Sequence, residues 1–287
     1  MKKIRIGHSP DSDDAFMFWG LATGAVQSDY DFEHILRDIQ TLNEWAMEGK
    51  LETTAVSVHA LAYVTDKYAL LPFGGSFGEN YGPMIIAKRP LSSEELFKTK
   101  IAIPGKLTSA FLALYLYYAD LFNDNNPLNK ISYEVVPFDE IIPAVQKGQY
   151  DAGLIIHEGQ LTYKKDGLIL IEDLGKWWGK KTGLPLPLGV NLVRKDLGEK
   201  VSAEIARCIK ESIQKGLNKR EKALEHALKY ARGMDMATSD EFVGMYVNQR
   251  TLNMGEDGFR SIQLLLKEGM EKGIVPVHEL ERLSLSS

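Results

Sequence analysis

A histidine stands directly behind a short apolar run in the middle of the chain. The run is Gly-Leu-Ile-Ile at residues 153–156, and His157 follows it. Such a run is typical of a buried strand, so it predicts that His157 lies where a central strand ends. An imidazole, whose unperturbed pKa is about 6.5, can act there as a general base at neutral pH. The position equally suits a structural histidine that hydrogen-bonds at a strand end.

A second candidate site is the sequence Gly-Lys-Leu-Thr-Ser at residues 105–109, between a predicted strand and a long apolar helix predicted over 110–122. The N–H groups at a helix N-terminus and the helix dipole suit a carboxylate or a phosphate. The hydroxyls of Thr108 and Ser109 can add donors. The spacing of a Walker motif is absent, and an ordinary Thr/Ser N-cap without a ligand explains the same pattern.

Acidic residues cluster after the first predicted strand, where Asp11, Asp13 and Asp14 follow His8. These residue types can bind metal ions. However, the first turn of a helix also favours acidic side chains, and the spacing of a calcium loop is missing. We therefore predict no metal here, and we expect Ser9 and the N–H groups after it to form one wall of a ligand cleft.

Two further polar residues lie at the ends of predicted elements. Ser57 ends a strand predicted over 53–57, and Asn43 lies near the start of a helix predicted over 42–48. Both can face a ligand, although Ser57 can equally cap the helix that follows it.

Strand-like and helical segments alternate along the chain, which indicates an α/β protein. The pattern restarts near residue 89 and returns near residue 188. We therefore expect a two-lobed fold in which residues 1–88 and 189–287 form a discontinuous larger domain and residues 89–188 an inserted smaller one. A ligand would then lie in the central cleft, at the carboxyl ends of the strands.

Composition narrows the function classes. The 287 residues carry a net charge of -5, without the basic stripe that is typical of a nucleic-acid-binding protein. The single cysteine precludes an intrachain disulfide. No apolar run approaches a membrane span and no signal-peptide pattern opens the chain, so we expect a cytoplasmic protein. The expected partner is a small carboxylated molecule, with neither nucleic acid nor membrane involved.

Taken together, the motifs resemble those of the 1,4-dihydroxy-6-naphthoate synthases, a family of the futalosine route to menaquinone. The resemblance spans nearly the whole chain. It rests on six strings: Ser-Pro-Asp-Ser-Asp-Asp-Ala-Phe from Ser9, Asp-Ile-Gln-Thr-Leu-Asn from Asp38, Tyr-Gly-Pro from Tyr81, Ile-Pro-Gly from Ile103 with Thr108, Gly-Leu-Ile-Ile-His-Glu from Gly153, and Leu-Pro-Leu-Pro-Leu-Gly from Leu184.

The resemblance implies a type II periplasmic-binding-protein-like fold in the cytoplasm. It also implies that His157 is the catalytic histidine and that Asn43, Ser57, Thr108 and Ser109 bind the substrate. Two departures from the family pattern stand out. Some members have Ser-Pro-Cys-Pro-Asn-Asp where this chain has the more acidic Ser-Pro-Asp-Ser-Asp-Asp, and Ser109 replaces a threonine.

The reaction implied is that of a carbon–carbon lyase, which converts cyclic dehypoxanthine futalosine to 1,4-dihydroxy-6-naphthoate. His157 would take a hydroxyl proton and start a retro-aldol-type opening, and no metal or organic cofactor is expected. Two alternatives stay open. One is a chorismate dehydratase of the same pathway, and the other is a small-carboxylate solute-binding protein, which shares the fold.

Overall fold

The computed structural model describes residues 2–124, 126–127 and 131–276, and it shows a mixed α/β protein. The strands are β1 Lys2–His8, β2 Tyr30–Leu36, β3 Thr53–Ser57, β4 Tyr68–Leu70, β5 Ser76–Gly78, β6 Met84–Ala87, β7 Lys100–Ile103, β8 Ser132–Val135, β9 Ala152–Ile155, β10 Ile169–Asp173 and β11 Leu186–Arg194. The helices are α1 Ser12–Met17, α2 Trp19–Ala22, α3 Ile39–Met47, α4 Val58–Leu61, α5 Ser93–Lys98, α6 Ser109–Leu121, α7 Ile141–Gln146, α8 Gly159–Thr162, α9 Leu174–Thr182, α10 Glu199–Asn218, α11 Arg220–Ala227, α12 Met236–Tyr246, α13 Gln249–Leu252 and α14 Gly255–Glu271.

The described residues divide into two compact units. The first unit consists of residues 2–76 and Gly189–Phe259, and the second of Phe77–Leu188 and Arg260–Pro276. The predicted boundary at residues 88/89 is therefore wrong. The reason is that β6 pairs with β9 and β10, so its residues belong to the sheet of the second unit.

The C-terminal region also departs from the predicted division. Residues 189–287 were expected in a single domain, yet most of α14 belongs to the second unit. Its Ser261 hydroxyl accepts a hydrogen bond from Trp178 Nε1 at 3.2 Å, and the Trp178 side chain is fully buried. A helix whose apolar side covers a buried tryptophan is part of that tryptophan's core.

The sheet of the first unit has the order β2-β1-β3-β11-β4, and β5 also pairs with β11. Strand β1 runs parallel to both β2 and β3, so the carboxyl ends of these three strands meet at one edge. His8, Leu36 and Ser57 occupy those ends. The core beneath includes Ile205, Ile209 and Ile213, whose spacing of four residues places them on one face of α10.

The sheet of the second unit has the order β10-β6-β9-β7-β8. Strand β9 lies at its centre, parallel to β7 and antiparallel to β6, and all four of its residues are buried. Helix α6 follows β7 and is almost entirely buried. The centre of this sheet therefore supports both β9, which leads to His157, and the turn that leads to Thr108.

One helix start differs from the prediction. The helix predicted over 42–48 begins earlier, at Ile39, and Asp38 is its N-cap. The Asp38 side chain accepts from the Thr41 backbone N–H at 3.0 Å and from the Thr41 hydroxyl at 2.6 Å. The preceding strand β2 ends two residues before this cap, at Leu36.

No helix among the described residues combines the length and the apolar character that a membrane crossing requires.

Candidate functional site

His157 lies two residues after the end of β9, as the apolar run predicts. Its backbone is in the left-handed region, with φ of 55°. The ring packs edge-on against Phe138, with the ring centroids 4.9 Å apart, and the His157 carbonyl accepts from the Gln160 N–H at 3.1 Å. A side-chain-bearing residue pays a free-energy cost on the order of 1 kcal/mol or more to hold this conformation.

The strained backbone at His157 is a feature that the sequence patterns did not predict. A glycine could adopt the same φ without the cost, yet the chain has an imidazole there. Residues held in this way concentrate at functional sites. The observation favours a functional histidine over one that merely ends a strand.

The hydroxyls of Thr108 and Ser109 bond within the protein, as in the ordinary N-cap that the sequence left open as an alternative. Thr108 is the N-cap of α6: its hydroxyl accepts from the Phe111 N–H at 3.1 Å and donates to the Gly105 carbonyl at 2.8 Å. The Ser109 hydroxyl donates to the Leu188 carbonyl at 2.5 Å. Both hydroxyl protons are therefore used within the second unit, and their role toward a ligand stays a prediction.

Ser9 is held by the acidic loop that follows it. Its N–H donates to the Asp14 carboxylate at 2.7 Å, and its hydroxyl donates to Asp11. Asp11 is buried and also pairs with Arg232 at 2.9 Å. The acidic cluster thus has partners of its own, and Ser9 is fixed in place.

The carboxyl of Asp14 has a raised pKa. Burial, with a smaller contribution from the neighbouring Asp11 charge, raises the pKa of Asp14 to about 7, although the Ser9 N–H opposes the shift. This carboxyl therefore changes its charge near neutral pH.

A pair of histidines lies beside this loop, and sequence reasoning missed it. His8 Nδ1 lies 3.1 Å from the Ser9 carbonyl oxygen, and His8 Nε2 lies 2.9 Å from His34 Nδ1. Burial, and then His34, lowers the pKa of His8 to about 3. Burial, and then His226, lowers the pKa of His34 to about 4. The signal that could have revealed the pair is the register of β1 with β2, which a single sequence does not give.

The structure brings Asn43 and Ser57 together. The Asn43 amide donates to the Ser57 hydroxyl at 3.1 Å and accepts from the Ser57 N–H at 2.8 Å, and both residues are buried. One side chain thus fixes both the backbone and the hydroxyl of Ser57 at the carboxyl edge of the sheet. In these two hydrogen bonds the Ser57 hydroxyl proton is not used. Asn43 orients Ser57 through both of them.

This pairing predicts a large loss of stability in Asn43→Ala. The change leaves the buried Ser57 N–H without its acceptor and opens a small cavity, so the free energy of unfolding should fall by about 2–3 kcal/mol. Glu44→Ala, on the exposed face of the same helix, should change it by less than about 0.5 kcal/mol. Urea denaturation followed by circular dichroism measures both. Equal effects for the two variants would contradict the role given to Asn43.

Comparison with known proteins identifies the family. The family model described as menaquinone biosynthesis matches residues 4–271. A protein of Thermus thermophilus named 1,4-dihydroxy-6-naphthoate synthase is 38% identical over 274 residues, which are 96% of each chain. A protein of the same name from Streptomyces coelicolor is 35% identical over 273 residues, or 95% of each chain. The chain belongs to the menaquinone biosynthesis family. Its curated relatives are synthases of the lyase type, so this member is an enzyme, as predicted.

Solved structures confirm the predicted fold. A protein of Archaeoglobus fulgidus is 41% identical, with a TM-score of 0.88, over 95% of this chain and 98% of that one. The alkanesulfonate-binding protein of Xanthomonas axonopodis pv. citri is only 14% identical, with a TM-score of 0.73, over 96% and 95% of the two chains. A Candida albicans protein described as having the generic periplasmic-binding-protein fold has a TM-score of 0.66 at 10% identity, over 97% and 99%. The last two likenesses show a shared fold and carry no function.

Proposed function

We propose that this enzyme is a 1,4-dihydroxy-6-naphthoate synthase that cleaves a carbon–carbon bond of cyclic dehypoxanthine futalosine, with His157 as the general base. The observation that carries the proposal is the left-handed backbone of His157 behind the buried strand β9. The names of the two curated relatives support the same product. A cytoplasmic location, expected above from the sequence, is part of the proposal.

The proposed chemistry needs one base and an electron-accepting substrate. Neutral His157 takes the proton of a substrate hydroxyl, and the oxygen left behind becomes a carbonyl as the adjacent carbon–carbon bond breaks. The electron pair of that bond passes to the ring of the substrate, which becomes an aromatic enolate. The proton taken up by His157 is then returned to the oxygen of that enolate, which gives the ring hydroxyl and leaves His157 neutral. The edge of Phe138 against the imidazole limits its rotation, so the base is held in one orientation.

We further propose that the substrate carboxylate binds at the N-terminus of α6. This helix has 13 residues, long enough for a useful dipole, and its first-turn N–H groups belong to Ser109 and Ala110. The Thr108 hydroxyl caps the helix and the Ser109 hydroxyl holds the Leu188 carbonyl, so backbone N–H groups are the donors in this proposal. Asn43, Ser57 and Ser9 stay proposed substrate-binding residues in the first unit.

A proline at the first position of α6 tests the carboxylate site. Ser109→Pro deletes one backbone N–H, and the helix tolerates it because the preceding Thr108 is extended, with ψ of 147°. Ser109→Ala removes the same hydroxyl and keeps the N–H. We expect Ser109→Pro to bind the substrate roughly 10–100-fold more weakly than Ser109→Ala, the loss typical of a hydrogen bond to a charged group. Calorimetry with equal affinities for the two variants would place the carboxylate elsewhere.

The activity itself is tested by product analysis. The purified protein is incubated with cyclic dehypoxanthine futalosine and, separately, with chorismate, and the products are identified by mass spectrometry. Formation of 1,4-dihydroxy-6-naphthoate from the first substrate is the expected result. Dehydration of chorismate would assign the chain to the alternative enzyme, and no reaction with either substrate would overturn the proposal.

A further inference from the structure

The contacts of His8 and His34 determine which of their ring nitrogens carry protons. His8 is 4% exposed, and its ring stacks on Phe18 with the centroids 4.5 Å apart. His8 Nδ1 faces the Ser9 carbonyl oxygen, and His8 Nε2 faces His34 Nδ1. A carbonyl oxygen can only accept a hydrogen bond, so His8 Nδ1 must carry a proton.

The rest of the order follows from the neutral state of both rings. Since neutral His8 has one ring proton, its Nε2 is an acceptor, and His34 Nδ1 must carry the proton between the two rings. His34 Nε2 is then left as an acceptor, and this buried atom has no hydrogen-bond partner within the described residues. All donors therefore point one way, from His34 through His8 to the Ser9 carbonyl.

We propose that His34 is a positioning residue: its Nδ1–H donates to His8 Nε2, which holds His8 in the Nδ1–H tautomer that fixes the Ser9 carbonyl. With the Ser9 N–H bound to Asp14 and the Ser9 hydroxyl bound to Asp11, the contact from His8 completes the hold on Ser9. The inference rests on the proposed function in one respect, because Ser9 is a proposed substrate-binding residue.

The order depends on His34 because His34 is the described contact that gives His8 Nε2 a donor. The stack on Phe18 holds the plane of the His8 ring but does not distinguish its two nitrogens. The Ser9 carbonyl alone favours a proton on His8 Nδ1. Without His34, however, His8 Nε2 would be a buried acceptor with no donor, which costs free energy. His34 removes that cost. His226 affects both rings through its charge, and its own ring lies tilted against that of Tyr230, with the centroids 5.7 Å apart.

Two substitutions of His34 separate positioning from bulk packing. In His34→Asn the amide nitrogen is bonded to Cγ, as ring Nδ1 is, so the donor to His8 is kept. In His34→Gln the amide lies one bond farther along the side chain and corresponds to ring Nε2, so the donor is misplaced although the chemistry is the same. His226→Asn serves as the control, since it alters a neighbouring histidine outside the hydrogen-bonded chain.

The direct readout is the tautomer of His8, measured by NMR on protein labelled with nitrogen-15 in its histidines. We expect the Nδ1–H tautomer alone in the wild type, in His34→Asn and in His226→Asn. In His34→Gln the Ser9 carbonyl still favours Nδ1–H but Nε2 has lost its donor, so we expect a mixture that contains the Nε2–H tautomer. An Nε2–H tautomer in the wild type, or no change in His34→Gln, would overturn the inference. This measurement needs no substrate, so it decides the hydrogen-bond order even if the proposed reaction fails.

Kinetics test the consequence for Ser9. The KM for cyclic dehypoxanthine futalosine should rise about 2–12-fold in His34→Gln, which corresponds to one lost or misplaced neutral hydrogen bond, while kcat changes by less than about twofold. His34→Asn should recover a KM close to that of the wild type. A switched tautomer with unchanged KM would show that Ser9 does not depend on this order and would overturn the positioning role. A wild type without turnover would instead count against the proposed function.

Discussion

Turnover of cyclic dehypoxanthine futalosine should fall by about 10²–10⁴-fold in His157→Asn, the loss typical of removing a general base. Asparagine keeps a hydrogen-bonding side chain of similar reach but cannot take up a proton. It is also among the residues that best tolerate the left-handed backbone found at this position, where φ is 55°. The fold should therefore survive the change, and the loss can be assigned to chemistry. Substrate affinity should change much less, since the carboxylate is proposed to bind at α6.

Stability measurements on the same position make the test sharper. His157→Gly removes the side chain and relieves the backbone strain, so its free energy of unfolding should equal that of the wild type or exceed it by up to about 1 kcal/mol. His157→Ala removes the side chain and keeps the strain, so it should be the less stable of the two. Both should be as inactive as His157→Asn. This combination is the signature of a residue retained for function at a cost in stability.

Two outcomes would contradict the role of His157. Near-wild-type turnover in folded His157→Asn would make the histidine structural, and another residue would have to supply the base. A large loss of stability in His157→Gly would show that the imidazole holds the fold through its contacts, among them that with Phe138, and that the left-handed backbone is not a cost. Single-turnover kinetics and urea denaturation distinguish these cases.

Local sequence patterns predicted the elements that carry the candidate site, because burial and periodicity agree there. Strands β3, β7 and β9 are short apolar or β-branched runs, β1 alternates isoleucine with charged residues, and α6 is an apolar run bounded by turn residues. Each lies in the interior of its unit, where propensity, burial and chain direction all favour one structure. The residues that follow these elements, above all His157, were therefore identified as candidates from their position alone.

The segment around α9 was not predicted, and glycine is the reason. Gly175 and Gly179 lie within this helix, where glycine normally weakens the helical pattern. A Cβ placed on Gly175 would lie 1.9 Å from the Tyr81 carbonyl oxygen, so only glycine permits this close approach of two backbones. The requirement comes from a residue more than ninety positions away, which local patterns do not contain.

Hydrogen bonds between side chains distant in the sequence could not be predicted, for a similar reason. Asn43 and Ser57 were each identified as candidates, but their mutual hydrogen bonds depend on how α3 packs on β3. The contact of His8 with His34 depends on the register of β1 with β2, in which Ile6 lies opposite His34. Shifting that register by one residue would turn His34 to the other face of the sheet. The chemistry of the first unit was therefore visible only in three dimensions.

Between pH 7 and pH 5, we expect His8 and His34 together to lower the free energy of unfolding by about 4 kcal/mol. The folded-state pKa values of His8 and His34 are about 3 and about 4, below the ordinary value of 6.5. As the pH falls below 6.5, both histidines become protonated in the unfolded chain but stay neutral in the folded chain. Stability is thus lost from about pH 6.5 down to the folded-state values, at about 1.4 kcal/mol per pH unit for each group. His226, whose pKa is lowered by burial and by Lys229, acts in the same direction.

Asp14 acts in the opposite direction over the same range. Its folded-state pKa of about 7 lies above the ordinary value of 3.8, so the folded chain takes up a proton before the unfolded chain does. This uptake returns about 2 kcal/mol of stability between pH 7 and pH 5. The wild type should therefore lose only about 2 kcal/mol, the difference between the two effects.

Substitutions separate these opposing groups. Asp14→Asn removes the compensating proton uptake, so its free energy of unfolding should fall by the full 4 kcal/mol or so between pH 7 and pH 5. His34→Asn removes one of the histidines that stay neutral in the folded protein. The free energy of unfolding of this variant should therefore fall by about 2 kcal/mol less than that of the wild type over the same range. Urea denaturation at pH 7, 6 and 5, followed by circular dichroism, gives the three slopes. If Asp14→Asn and the wild type have the same slope, Asp14 does not titrate near neutral pH. If His34→Asn and the wild type have the same slope, the folded protein does not lower the pKa of His34.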